Sequence, residues 1–305
     1  MNKKNQRKIL SLILLLVVGL FYFLSSDSLK PSFGSPNPPK EKLTQTINQE
    51  NNNLLSISFI DVGQADSILI KEKEEYILID AGNNADGEKL VAYLKSLGIE
   101  RFKYVIATHP HEDHIGGMDE IIDNFTIHNF YMPDAITTTK TFEDVLNALE
   151  KKNISIHIPT KNEDFSLSDA KIKVLYVGSE EKDLNDTSIV LKVEFHNISF
   201  LLMGDASKKV EDQLDVKNLK SDVLKIGHHG SKTSTSKDFL ATVAPKYAVI
   251  SVGKDNNYHH PSAPTLKLLA KQNITVYRTD EDGTITMITD GDNIEIKTRK
   301  TDTNG

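Results

Sequence analysis

The chain has 305 residues, 38% of them hydrophobic, with no cysteine and a formal net charge of −7. That length suits one large α/β domain, and the lack of thiols excludes a disulfide framework, a thiolate metal ligand and a cysteine nucleophile. Of 36 Lys+Arg and 43 Asp+Glu, the first 53 residues hold 7 and 3, so the remainder carries 29 basic against 40 acidic residues, which argues against an extended basic groove for nucleic acid.

Lys3, Lys4, Arg7 and Lys8 precede an apolar run from Ile9 to Leu24, followed by Ser25-Ser26-Asp27-Ser28. This reads as a targeting segment to be set aside from the fold. Its 16 residues exceed a usual signal-peptide core and barely reach a membrane span. With no small-x-small cleavage site after it, a retained anchor is favoured over a cleaved signal. Residues 25–53, rich in Pro, Ser, Asn and Gln, read as a flexible tether. The expected organisation is an anchor or signal at 1–24, a linker at 25–53 and a catalytic domain at 54–305. Basic flanks stay on the cytoplasmic side, so the domain is expected outside the cell membrane or, after cleavage, secreted.

Within the domain, strand-like runs at Leu55–Ile60, Ser67–Lys71 and Tyr76–Asp80 precede a helical stretch at Asp86–Leu97 and a strand that ends at Thr108. A second series runs through Lys171–Val177, Ser188–Phe195, Ile198–Met203, Asp222–Ile226 and Ala248–Val252, with helical stretches at Thr141–Lys152 and Ser262–Gln272. The pair Ile274–Arg278 and Thr284–Ile288 is expected to close a sheet. Lys225, Lys232, Lys237 and Lys246 are read as solvated surface lysines.

Three loops carry chemistry. Thr108-His109-Pro110-His111-Glu112-Asp113-His114-Ile115-Gly116-Gly117 packs three histidines and Asp113 into six positions directly after the apolar Tyr104-Val105-Ile106-Ala107. His109 and His111, an i, i+2 pair on a turn, can share one metal, and Asp113 and His114 can reach a second beside it. Phe200-Leu201-Leu202-Met203 ends in Gly204-Asp205, where a carboxylate at a strand's end can bridge two cations. Val223–Gly227 ends in His228-His229-Gly230-Ser231.

The order His-x-His-x-Asp-His, then Gly-Asp, then His-His-Gly-Ser resembles the metallo-β-lactamase superfamily and, more narrowly, the metallo-β-lactamase-like domain of ComEC-type competence DNA-uptake proteins. Asp61-Val62-Gly63-Gln64-Ala65-Asp66, Leu78-Ile79-Asp80-Ala81-Gly82 and Tyr258-His259-His260-Pro261 extend the likeness, which covers about Asn53 to Ile296. It implies a four-layer αββα sandwich with the ligand loops along one edge. It also implies two divalent metal ions, zinc or manganese, and no organic cofactor. His109 and His111 would hold the first ion, Asp113, His114 and His228 the second, and Asp205 would bridge. His228 is preferred to His229 because it comes first after the strand. Asp61, Asp66 and Asp80 close strands nearby, as turn caps or as support for the histidine loop.

Two departures stand out. Ala65 occupies a usual glycine. A third histidine common on the superfamily's first metal has no clear counterpart: His128 and His157 come too early, and His196 beside Asn197 reads as a hairpin tip. Water or Asp186 is expected in that place, and more oxygen ligands favour the harder manganese.

The implied activity is hydrolysis of a phosphodiester, in DNA or a cell-wall polymer. Asp113 would orient the nucleophile, and His229 or His260 would steady the pentacoordinate oxyanion or protonate the leaving group. A cell-wall phosphorylcholine or teichoic-acid esterase is the rival enzyme; a non-catalytic surface-binding module is the rival from another class.

Overall fold

The computed structural model describes residues 53–179 and 182–298; the expected anchor and all of the tether but Asn53 lie outside them. In chain order the strands are β1 (Leu55–Phe59), β2 (Ile68–Glu72), β3 (Glu75–Ile79), β4 (Arg101–Phe102), β5 (Tyr104–Ile106), β6 (Thr126–Ile127), β7 (Phe130–Tyr131) and β8 (Ile156–His157). They continue as β9 (Asp164–Ser166), β10 (Lys171–Tyr176), β11 (Val190–Phe195), β12 (Ile198–Leu202), β13 (Val223–Lys225), β14 (Tyr247–Ile250), β15 (Thr275–Arg278), β16 (Ile285–Thr289) and β17 (Ile294–Thr298). The helices are α1 (Gly87–Ser96), α2 (Glu112–Ile115), α3 (Met118–Asn124), α4 (Lys140–Lys152), α5 (Lys208–Glu211), α6 (Lys237–Val243), α7 (Ala263–Lys271) and α8 (Thr279–Asp282).

Two large sheets result. One has the order β17-β16-β1-β2-β3-β5-β7-β8 and the other β15-β14-β13-β12-β11-β10-β9, with a small ribbon of β4 and β6 beside them. Each is antiparallel at one side and parallel at the other: β3, β5, β7 and β8 run parallel in the first, and β12 to β15 in the second. Such parallel strands place their C-terminal ends, and the loops that follow, along one edge.

Period-two alternation sets the layers. Ile77 and Ile79 of β3 face Phe200 and Leu202 of β12 in the apolar layer between the sheets. Tyr76 and Leu78 point the other way, onto Leu90 and Leu94 of α1, Met118 and Ile121 of α3, and Val145 and Leu149 of α4. Leu201 and Met203 likewise point outward, onto Val210 of α5, Leu240 and Val243 of α6 and Leu269 of α7. Three apolar layers thus separate helix, sheet, sheet and helix, the αββα sandwich. The buried Glu72 carboxylate ties the sheets at one end by accepting the Asp169 and Ala170 amides at 2.8 and 2.9 Å.

One sequence expectation fails. The runs around Thr275–Arg278 and Ile285–Thr289 do not pair: β15 joins β14 in parallel, whereas β16 crosses to β1 and pairs antiparallel with it and with β17. Helix α8 causes the crossing. The Arg278 amide donates to Asp282 at 3.0 Å and its guanidinium holds Asp280, which turns the chain out of the second sheet before a hairpin can form.

Helix α2, which carries Asp113 and His114, is pressed against the loop after β3. A Cβ on Gly116 would lie 2.2 Å from the Asn83 carbonyl carbon and the Asn84 nitrogen, and one on Gly117 2.6 Å from the Ala81 carbonyl oxygen. These contacts are with backbone and leave little room to yield. Gly116→Ala should therefore cost about 2 kcal/mol and lower Tm by roughly 4–8 °C. Gly98→Asn, at φ 76° with open space around the added Cβ, serves as control and should change little. Thermal melts followed by circular dichroism decide; an unchanged Tm for Gly116→Ala would show that the loop can move aside.

Candidate metal centre

The residues singled out by ligand chemistry come from the C-terminal ends of the parallel strands. Asp80 follows β3, Thr108 and His109 follow β5, and His111 precedes α2, whose first turn holds Asp113 and His114. Asp205 follows β12, His228 and His229 follow β13, and Ser251 follows β14. Asp113, His114, Asp205 and His229 each offer one ligand atom, and these atoms all lie within 4.8 Å of one another.

The imidazoles are aimed by what holds their far nitrogens. His114 Nδ1 lies 2.7 Å from Asp80 Oδ2, and its Nε2 faces Asp205 Oδ1 at 3.3 Å. His229 Nδ1 donates to the Ser251 carbonyl at 2.9 Å, leaving Nε2 at 3.2 Å from Asp113 Oδ2 and 3.7 Å from Asp205 Oδ2. His109 Nδ1 is 3.2 Å from the Thr108 hydroxyl, whose own proton goes to Asp80 at 2.7 Å. That hydroxyl therefore accepts from His109 Nδ1, and the lone pair on Nε2 is turned to His111 Nδ1, 3.0 Å away. Three rings thus carry the proton on Nδ1 and converge through Nε2. Ser188 Oγ accepts the Asp205 main-chain amide at 3.1 Å and so holds the backbone that carries that carboxylate.

Charge follows the same geometry. Burial opposes charge on His114, yet Asp205 and Asp80 on its two sides outweigh it and hold the imidazole well above its usual pKa. His229 is raised in the same way, burial being outweighed by Asp205 and Asp113. Burial also pushes Asp80 up, but the proton it shares with His114 belongs on the imidazole, because Asp80 accepts the Thr108 amide and hydroxyl as well. Against burial, His114 and His229 hold Asp205 well below the carboxylate range; Asp113 is lowered too, chiefly by its hydrogen bond from His229. Burial and the neighbouring His114 keep His109 neutral at physiological pH.

This donor set fits divalent metal. His109 Nε2, His111 Nδ1 and Asp205 would hold one ion, and Asp113, His114, His229 and Asp205 a second. The buried His114 Nε2 and Asp205 Oδ1 meet each other at 3.3 Å and make no other hydrogen bond, as atoms turned to a shared cation would.

Not every expected residue joins the cluster. The Nε2 atoms of His228 and His229 both lie 3.7 Å from Asp205 Oδ2, but His229 is buried and also reaches Asp113 at 3.2 Å, whereas His228 is partly exposed at the rim with its Nδ1 3.2 Å from Thr233 Oγ1. Two successive residues at φ 49° and 51° reverse the chain, so the second imidazole and not the first turns inward. Asn185, not Asp186, lines the cleft, and Asp186 lies 3.7 Å from Lys209. His196, at φ 52° between β11 and β12, sits at the hairpin's far end, where Asn197 donates to the Gly291 carbonyl. His260 lines the cleft, and burial together with His228 and His229 lowers its pKa. Asp61 caps a turn through the Gly63 amide, away from the cluster.

Lys225 overturns its reading as a solvated lysine. It is fully buried, 2.8 Å from Asp66 Oδ2, and donates to the Ile226 carbonyl at 3.1 Å. The other Asp66 oxygen lies 3.5 Å from His229 Nδ1, and the Asp66 amide donates to the Asp113 carbonyl at 3.1 Å. Asp66 and Lys225 thus brace two cluster residues from behind.

Fold and donor set together define a candidate metal site on a metallo-β-lactamase-type sandwich, and residues 60–254 match the Metallo-beta-lactamase superfamily model; the chain belongs to that superfamily. Its members are generally metal-dependent hydrolases that bind one or two divalent ions. Among curated relatives, the chain is 33% identical over 250 residues to ComE operon protein 3 of Bacillus subtilis (strain 168), covering 75% of this chain and 32% of that one. It is 30% identical over 249 residues to Competence protein ComA of Neisseria gonorrhoeae, covering 76% and 32%. The chain thus spans about a third of the length of these relatives. The metallo-β-lactamase fold protein YhfI from Bacillus subtilis superposes with a TM-score of 0.54 at 12% identity, over 76% of this chain and 99% of that one, and so shares the fold.

The Lys225–Asp66 pair gives a direct test of the bracing. Lys225→Met leaves the buried Asp66 carboxylate with only the 3.5 Å contact to His229 and should cost about 3–5 kcal/mol; adding Asp66→Asn removes that charge and should restore most of the loss. Chemical denaturation of the two variants measures both steps. Equal stability of Lys225→Met and the parent would mean that the pair contributes nothing.

Proposed function

We propose that the protein is a two-metal phosphodiesterase whose domain lies outside the cytoplasmic membrane. The observation that carries the reading is the convergence of the Nδ1-anchored His114 and His229 on Asp205, at 3.3 and 3.7 Å, where Asp113, Asp205 and His229 line an open cleft of about 420 Å³. Divalent ions held there supply Lewis-acid activation of water and of a phosphoryl oxygen. Asp113, kept ionised by His229, accepts a hydrogen bond from the attacking water and orients it. Asp205, whose main chain is held by the Ser188 hydroxyl, places its carboxylate between His114 and His229, where it would bridge the ions. His260 is held neutral at the cleft wall, where its ring N–H donates to an oxygen that gains charge in the pentacoordinate transition state. The domain's acidity means that the substrate's charge is met inside the cleft. Competence-protein relatives favour DNA among phosphodiesters.

Oxygen ligands from Asp113, Asp205 and the cleft-lining Asn185 favour manganese over zinc. The full-length chain should hydrolyse bis-p-nitrophenyl phosphate and single-stranded DNA with manganese, and Asp205→Asn should lose bound metal by elemental analysis and at least about a hundredfold in rate while keeping its circular dichroism spectrum. Turnover of p-nitrophenyl phosphorylcholine alone would move the assignment to the phosphorylcholine esterase; full metal content in Asp205→Asn would sink its bridging role.

The extracellular placement rests on Lys3, Lys4, Arg7 and Lys8 before the apolar run from Ile9 to Leu24. Protease added to intact, wall-stripped cells should remove the domain, unless it is already in the medium. A domain that survives until lysis is cytoplasmic, and extracellular substrates fall with it.

A further inference from the structure

Tyr258 stands at the mouth of the metal cleft. It lines the same cavity as Asp113, Asp205 and His229, yet is 69% exposed. Its ring lies nearly parallel to the His260 imidazole, with planes 21° apart and centroids 5.9 Å apart. The loop that presents it is closed by Asn256, whose amide donates to the Gly253 and His260 carbonyls at 2.9 and 2.7 Å and accepts the His260 amide at 2.9 Å. Tyr258 is thus held out on a braced loop, one face towards His260 and the other open, although turning the ring inward would remove apolar surface from water.

We propose that Tyr258 is a stacking platform for the nucleobase next to the phosphodiester in the cleft, so that the preferred substrate is single-stranded nucleic acid. The inference rests on the phosphodiesterase reading and narrows its substrate. An aromatic face takes a base only when that base is free of its partner. Duplex binding, by contrast, draws on clustered lysine and arginine along the backbone, and the domain carries 29 basic against 40 acidic residues once the first 53, with 7 and 3 of the chain's 36 and 43, are set aside. Stacking is insensitive to that unfavourable charge, and the ions in the cleft handle the phosphate. A quaternary ammonium is typically held by a cage of several aromatic rings; among the described residues lining the cleft, Tyr258 brings the one tyrosine, phenylalanine or tryptophan ring.

The experiment compares parent, Tyr258→Ala and Tyr258→Phe full-length proteins on a single-stranded oligonucleotide and on the same oligomer with abasic sites flanking the cleaved bond. Binding is followed by fluorescence anisotropy and hydrolysis with manganese. Tyr258→Ala should weaken binding and raise KM for the base-bearing oligomer about tenfold. Tyr258→Phe should stay within about twofold, and the abasic oligomer should respond to neither change. Equal effects on both oligomers would overturn the inference, since Tyr258 would then only be supporting His260. So would no effect, or a loss confined to p-nitrophenyl phosphorylcholine. If the parent binds the oligomer with base-dependent loss in Tyr258→Ala but cleaves no phosphodiester, the phosphodiesterase reading alone fails; if it cleaves and the variants are indistinguishable, stacking alone fails.

Discussion

The structure depends on an excess of buried negative charge gathered where two sheets meet. Inside the cluster Asp66, Asp80, Asp113 and Asp205 are set against Lys225, His114 and His229, with the partly exposed His228 at the rim 3.7 Å from Asp205 and His109 held neutral. Even with both imidazoles protonated the cluster is short of cation, and with both neutral it is far shorter. Removing each ion from water costs several kcal/mol unless close partners offset it. A divalent ion held by Asp113, His114, His229 and Asp205 would displace the imidazolium protons and supply the missing charge, so the same crowding of carboxylates that costs the isolated protein would favour a metal there.

The fold makes that concentration of charge possible by satisfying everything behind it. Three apolar layers fix the strands, and the loops after β5, β12 and β13 deliver ligands, each held by a bracing group: Asp80 behind His114, Ser251 behind His229, Thr108 behind His109, Ser188 behind the Asp205 main chain. The glycine pair after the histidine loop lets α2 approach the end of β3 closely enough for Asp80 to reach His114. Orientation is thus supplied by backbone and second-row hydrogen bonds, and the metal-facing nitrogens and oxygens need little reorganisation on binding.

Much of this was legible in the sequence, for identifiable reasons. Four ligand-type side chains within six positions after an apolar strand have few explanations other than metal, and the unbroken apolar runs Ile77–Ile79 and Phe200–Met203 marked strands covered on both faces. What stayed hidden depended on local dihedral angles or on long-range pairing. Nothing in His228-His229 reveals that both residues take positive φ and so exchange their facing. Lys225 looked like a surface lysine because a lone charge in Val223–Ile226 says nothing of its partner. The clue was available in principle, since a strand covered on both faces leaves a lysine nowhere to go except to a buried carboxylate. Likewise Asn185 and Asp186 are adjacent in sequence, and only the short helical turn from Leu184 to Thr187 decides which lines the cleft. The misassigned terminal pair reflects α8, four residues too short to stand out by periodicity.

An acidic domain with a cation-hungry cleft also imposes an order on recognition. At long range its charge repels a polyanion, so association gains little from electrostatic steering and is slowed least at high ionic strength. At short range the ions in the cleft attract one phosphate strongly, while the surrounding surface offers the neighbouring phosphates little. Such a site discriminates through groups beside the reacting phosphate rather than through a long footprint. On the proposed phosphodiesterase reading, affinity would be concentrated at one point, and selectivity would fall to the few uncharged side chains at the cleft mouth.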